Sequence, residues 1–187
     1  MENLGCDIRF PMAPNIILTA ELDLPVSPGS TLRREHFPPE RNLLPPHLTL
    51  FHRLSSAQTA RLDVLELPAA AVPVLYDAPI LLGFGVAVRI RSSGLDQVRA
   101  TALETMGGEF SRQDSQAWRP HVTIQNKVPA DAARRLHSEM ERGFVRRAGA
   151  VTGLLVWEYL GGPWELVRKL PFDQMTSASS PRSELNF

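Results

Sequence analysis

Two copies of one short pattern, Pro46-His47-Leu48-Thr49-Leu50 and Pro120-His121-Val122-Thr123-Ile124, put reactive side chains at a spacing that makes them cooperate. In a strand, residues i and i+2 share a face. His47 and Thr49 therefore project together, with Leu48 and Leu50 turned to the apolar side. His121 and Thr123 repeat the arrangement over Val122 and Ile124. Two imidazoles, titrating near neutrality, can divide general-acid and general-base work. Two hydroxyls can hold the non-bridging oxygens of a phosphate between them. Nine threonines in 187 residues place one two positions after a given His about 5% of the time by chance, so a doubled pair is a built unit.

Other residues take their meaning from this pair. Arg119 lies two residues before His121 and shares its face, where a guanidinium can make a charge-assisted contact to phosphate; the alternative is a solvated surface arginine. Trp118 and Phe51 read as core or hinge packing. His52, with the parity of Leu48 and Leu50, reads as a strand-end residue. His36 belongs to a proline-rich segment, and His137, between Arg135 and Glu139, reads as a helix-surface residue. Arg89 and Arg91 share one face of a later strand, and either line the groove or face water.

The elements that must position the two pairs are legible from periodicity. Ile16 to Leu22 predicts a first strand. Pro25 to Pro46 carries six prolines and Arg33, Arg34 and Arg41, and reads as a mobile flap or a solvated loop without regular structure. On the flap reading its arginines meet phosphates as it closes. The first His-Thr strand runs from His47 to Phe51, and Ser55 or Ser56 caps a helix to about Leu67. Ile80 to Arg91 resumes strand character, with Phe84, Val86, Val88 and Ile90 on one face and Gly85, Ala87, Arg89 and Arg91 on the other. A helix from Gly94 to Met106 ends at Gly107-Gly108. The second His-Thr strand, His121 to Gln125, precedes a helix opened by Pro129 and running to Gly143. Val151–Leu160 and Trp164–Leu170 predict a hairpin, and the polar residues 173–187 a disordered tail.

The halves rhyme: each gives a His-Thr strand, a helix and further strand. This predicts an α+β fold, a single bilobal domain over residues 1–172. Its two antiparallel sheets with outer helices are related by a pseudo-two-fold axis around a central groove. Twenty basic and twenty acidic residues balance, which gives no global field for tight binding to long nucleic acid. Arginine supplies 18 of the 20 cations, so phosphate contacts would come from forked guanidiniums. Cys6, the lone cysteine, excludes an intramolecular disulfide and a Cys-based metal cage. No secretory leader and no apolar run near the ~20 residues of a membrane span is visible, so a soluble cytoplasmic protein is expected. Two imidazoles without a neighbouring Asp or Glu at ligand spacing fall short of the three protein ligands of a typical catalytic zinc site. The expectation is a chemistry with no metal.

A doubled Pro-His-x-Thr-apolar motif resembles the 2H phosphoesterase superfamily, specifically its bacterial 2′-5′ RNA ligase (LigT-like) branch. His47/Thr49 and His121/Thr123 fall on both signature tetrapeptides, and the element order from Ile16 to Phe172 fits. His52 departs from the apolar or small residue expected there. The resemblance implies a cofactor-free enzyme acting on 2′,3′-cyclic phosphates and related 2′-phosphodiesters, with RNA ends or small cyclic nucleotides as partners and no membrane or obligatory protein partner. It implies His121 as base and His47 as acid in hydrolysis; the phosphate contacts of Thr49, Thr123 and Arg119 are read from the residues themselves. The alternative is a non-catalytic RNA-end or nucleotide-binding module using the same groove.

Overall fold

The computed structural model of the chain describes residues 15–23, 28–42, 44–161 and 163–172. Cys6 and the 173–187 tail lie outside the described residues. The elements follow a β-α-β-α-β unit traversed twice. The first unit is β1 (Asn15–Leu22), α1 (Pro28–His36), β2 (Leu48–Leu54), α2 (Ser56–Arg61) and β3 (Val72–Leu81). The second is β4 (Gly85–Arg91), α3 (Ser93–Met106), β5 (His121–Asn126), α4 (Ala130–Gly143) and β6 (Arg147–Tyr159), and β7 (Glu165–Pro171) is the last element among the described residues.

All seven strands form one antiparallel sheet in the order β2-β1-β6-β3-β4-β5, with β7 on β6. The 13-residue β6 explains how two lobes share it. Its residues up to Val151 pair with β3, while Val151 to Tyr159 pair with β1 and Gly153 to Glu158, on the other edge, with β7. Each lobe is thus a four-stranded antiparallel ladder with a His-Thr strand, β2 or β5, at its outer edge. The α+β architecture and its duplicated lobes follow the sequence reading, but the two expected sheets are one, because the long β6 runs through both lobes and joins them.

Local chemistry fixes the helix ends. Ser55 and Gln58 make a reciprocal capping box at α2, and the Ser92 hydroxyl accepts from the Leu95 N–H at α3. Such caps satisfy amide donors that a first helical turn leaves free. Gly107, at φ +56°, ends α3 in a conformation that side chains resist. The core lies between the sheet and its helices, with Leu18, Leu48, Phe51, Val88, Leu95, Val122, Ile124 and Leu154 fully buried.

Three readings are corrected. The proline-rich segment is not irregular: it holds α1 and a short 3₁₀ turn at Pro39–Arg41. Proline is tolerated in a first helical turn, and Pro28 occupies that position, so proline density there marks the ends of the helix. Ile80 to Arg91 is not one strand: β3, missed at its Val72 start, turns at Leu82–Phe84 into β4. Phe84 consequently lies in the turn, 66% exposed, and does not share the buried face of Val86. The helix after Ser55 also stops at Arg61 and continues as a 3₁₀ turn over Leu62–Val64.

Candidate functional site

The alternation read from the two motifs is present in both strands. Leu48, Leu50, Val122 and Ile124 are buried, while His47, Thr49, His121 and Thr123 are half-buried and line one groove of about 620 Å³. Arg119, exposed, lines it as well. All five candidate residues are therefore brought together.

Beyond the threonines both strands bulge at the same place. Leu18 pairs with Phe51 and Thr19 with Thr49, which leaves Leu50 extra; Val86 pairs with Gln125 and Ala87 with Thr123, which leaves Ile124 extra. A bulge keeps two successive side chains on one face and re-aims the residues beyond it. Leu50 and Phe51 accordingly both enter the core, and His52 turns back into the groove. His52 therefore lies inside β2, on the groove side despite its parity with Leu48 and Leu50, which corrects the reading of it as a strand-end residue. Asn126 is its counterpart on β5 and also lines the groove. A Cβ on Gly85 would lie 2.1 Å from the Gln125 carbonyl oxygen, so the second bulge requires glycine opposite it.

Each histidine is held the same way. His47 Nδ1 is 2.9 Å from the Pro45 carbonyl oxygen, and His121 Nδ1 is 2.8 Å from that of Arg119. A carbonyl only accepts, so Nδ1 carries the hydrogen in both rings, and the neutral form of each has a bare Nε2. The tautomer that proton transfer at Nε2 requires is therefore set by the backbone. Burial lowers the pKa of His47 first. The Pro45 hydrogen bond opposes this, and the positive field of Arg33, His121 and His52 adds to it. Trp164 packs on the His47 ring, with centroids 5.0 Å apart.

Two buried arginines, one from each unit, cross to the opposite lobe. Arg99 of α3 donates from Nε to the Leu50 carbonyl at 3.3 Å and from Nη2 to the Asp114 carbonyl at 2.7 Å, and lies over the Phe51 and Trp118 rings. Arg33 of α1 donates from Nη1 to the Thr123 carbonyl at 3.0 Å and from Nε to Asn42, and lies 3.7 Å from the Phe37 ring centroid. Burial brings Arg33 down to about 10, so it stays charged at neutral pH. Arg33 is therefore a buried tie between lobes, which corrects the reading of it as a mobile phosphate contact.

Trp118 donates its indole N–H to the Thr49 carbonyl at 3.2 Å. Asp114 is buried and accepts from the backbone N–H groups of His52 and Arg53, the Ser111 hydroxyl and His52 Nδ1. Burial alone would push its carboxyl up; these hydrogen bonds outweigh that and hold it below the ordinary carboxylate range. Unpaired backbone groups of the edge strand β2 thus find partners.

Sequence reasoning missed Arg99, Asp114 and Trp164, because each acts across a distance in sequence that no local pattern carries. His36, beside Glu35, is absent from the lining of this groove, and His137 pairs with Glu141 along α4. Among the described residues no group of three or more His, Cys, Asp or Glu side chains is placed to hold a metal ion, and no helix is long and apolar enough to cross a membrane.

This groove can be set beside known proteins. The sequence profile of the 2′-5′ RNA ligase superfamily matches residues 24–163, which include both His-Thr strands. The chain belongs to the 2′-5′ RNA ligase superfamily. Membership supports an enzyme of the phosphoesterase or 2′-5′ RNA ligase type. E. coli LigT complexed with 3′-AMP shares the fold at a TM-score of 0.54 and 18% identity, over 86% of this chain and 99% of that one. The protein TT0787 of Thermus thermophilus does so at 0.59 and 12%, over 85% and 98%. A crystal structure of a phosphoesterase gives 0.53 and 17%, over 87% and 99%. Among curated proteins no sequence matches the chain.

Proposed function

We propose that this superfamily member is a metal-independent phosphoesterase that opens 2′,3′-cyclic phosphates at the ends of RNA or on nucleotides. The observation that carries the reading is the matched pair of imidazoles in one groove. Each has its Nδ1–H spent on a backbone carbonyl and a threonine one pleat further along. A pure binder needs no matched acid and base.

His121 Nε2 takes a proton from water as the water oxygen attacks phosphorus. The bond from phosphorus to one ribose oxygen breaks, and His47 gives its proton to that oxygen. Thr49, Thr123 and Arg119 meet the non-bridging oxygens as charge develops on them. His47, whose pKa is lowered by burial and neighbouring positive charge, gains its proton more readily beside an anionic phosphate. With an RNA 5′-hydroxyl in place of water as the nucleophile, the same groove can join that RNA to a cyclic phosphate, His121 taking the hydroxyl proton and His47 protonating the departing ribose oxygen. A relative of the same fold crystallised with 3′-AMP supports a nucleotide in this groove.

The test is turnover of a panel of 2′,3′-cyclic nucleotides in EDTA. Ring opening at an undiminished rate in chelator is expected. Complete loss restored by one divalent ion would overturn the metal-independent mechanism. Saturable binding with no turnover would instead favour the non-catalytic module.

A further inference from the structure

The open face of β3 and β4 carries a charge cluster that the proposed chemistry does not use. Asp77 is the extra residue of a bulge, since Tyr76 pairs with Ile90 and Ala78 with Arg89. Its buried carboxylate collects three guanidiniums. Arg89 Nε is at 2.9 Å, Arg91 Nε at 2.7 Å and Arg146 Nε at 3.1 Å. All three contacts use Nε, so each planar fork keeps Nη donors for a further partner. The side chains are 44%, 63% and 68% exposed. Three cations against one carboxylate leave a net positive patch held in fixed orientation.

The patch adjoins the groove. Arg89 is the direct cross-strand partner of His121, and directly opposed residues share a face with Cβ atoms about 5 Å apart. Arg91 follows two residues on along the same face. The duplication supplies an internal control. Ala20 pairs with Leu48 just as Val88 pairs with Val122, and Leu48 and Val122 each follow their histidine. The positions equivalent to Arg89 and Arg91 are therefore Glu21 and Asp23. Glu21 is spent on Lys169 at 2.9 Å, and Asp23 is exposed. The strand beside His121 thus carries two arginines where the pseudo-symmetric positions beside the first His-Thr strand carry carboxylates.

We propose that Arg89, Arg91 and Arg146 form a track for the phosphodiester backbone of single-stranded RNA whose cyclic end occupies the groove. The inference rests on the cyclic-phosphate reading and gives it a direction. A 2′,3′-cyclic phosphate is a 3′ end, so the strand leaves towards its 5′ side, over β4 past His121 and away from Glu21 and Asp23.

The experiment compares a 2′,3′-cyclic mononucleotide with a hexaribonucleotide ending in the same cyclic nucleotide, in wild type and in Arg89→Gln/Arg91→Gln. Arg91→Gln is a second variant that leaves Arg89 and Arg146 on Asp77 and so preserves the bulge. Binding of the 5′-labelled hexamer with a 3′-phosphate is read by fluorescence anisotropy. The wild type should prefer the hexamer over the mononucleotide by about tenfold in kcat/KM. Its hexamer affinity should fall with salt by about 0.7 log units per log unit of salt for each phosphate engaged. Both variants should lower that preference, the double variant towards one, and should flatten the salt dependence of hexamer binding. Equal preference in wild type and variants, or a hexamer bound no better than the mononucleotide, would overturn the track. Mononucleotide turnover separately tests the cyclic-phosphate reading, and the anisotropy arm still decides the track if that turnover is absent.

Discussion

Replacing either groove histidine, His47→Ala or His121→Ala, should lower kcat on a 2′,3′-cyclic nucleotide by about 10²–10⁴, the usual worth of general acid or base catalysis. The double variant should be little worse than the worse single one, because groups that act as a unit are not additive. Both rings are half-buried on the groove wall, outside the apolar core. The losses should therefore come with little change in melting temperature, which separates chemistry from misfolding. Thr49→Val and Thr123→Val keep the branched shape and remove one hydroxyl each, so their losses should be smaller. Steady-state kinetics with matched thermal melts check all of these, and a histidine variant of full activity would remove that residue from the mechanism.

The second large effect falls on stability. Arg99→Met keeps an unbranched side chain in the same space but removes both donors, leaving the Leu50 and Asp114 carbonyls without this partner. Each buried polar group left unsatisfied costs about 1–3 kcal/mol, so a loss of about 2–6 kcal/mol is expected for the two. For a domain of this size that lowers the melting temperature by roughly 4–24 °C. Arg99→Lys, which retains one donor head, should recover part of it. Activity should fall too, since Arg99 also lies over Trp118, which holds the Thr49 carbonyl. A melting temperature within a degree or two of wild type would show that the tie is not under load.

The features legible in the sequence are those set by local periodicity. Alternation places His47, Thr49, His121 and Thr123 on one face and their apolar neighbours in the core. Capping and breaking residues such as Ser55, Pro129 and Gly107 locate helix ends. The bulges are not legible, because each adds a residue without changing composition, and strict parity therefore sends His52 to the wrong face. Helix α1 is hidden by the prolines around it. The bond from Arg33 to Thr123 spans 90 residues, and that from Arg99 to Leu50 spans 49. No window along the chain contains either pair. The alternatives open for Arg89 and Arg91 are decided by Asp77, which a bulge turns towards them.

The division of labour between the two imidazoles is tested most directly by kcat/KM on a 2′,3′-cyclic nucleotide from pH 5 to 9, in wild type and in each single alanine variant. The wild type should give a bell, since one imidazole must be neutral and the other protonated. In His121→Ala only the His47 proton still matters. Residual activity should fall as pH rises, with its midpoint below the ordinary imidazole value because burial and the charges of Arg33 and His52 disfavour that proton. In His47→Ala only the base remains, and residual activity should rise with pH. A flat wild-type profile, or a bell that survives intact in either variant, would contradict the account.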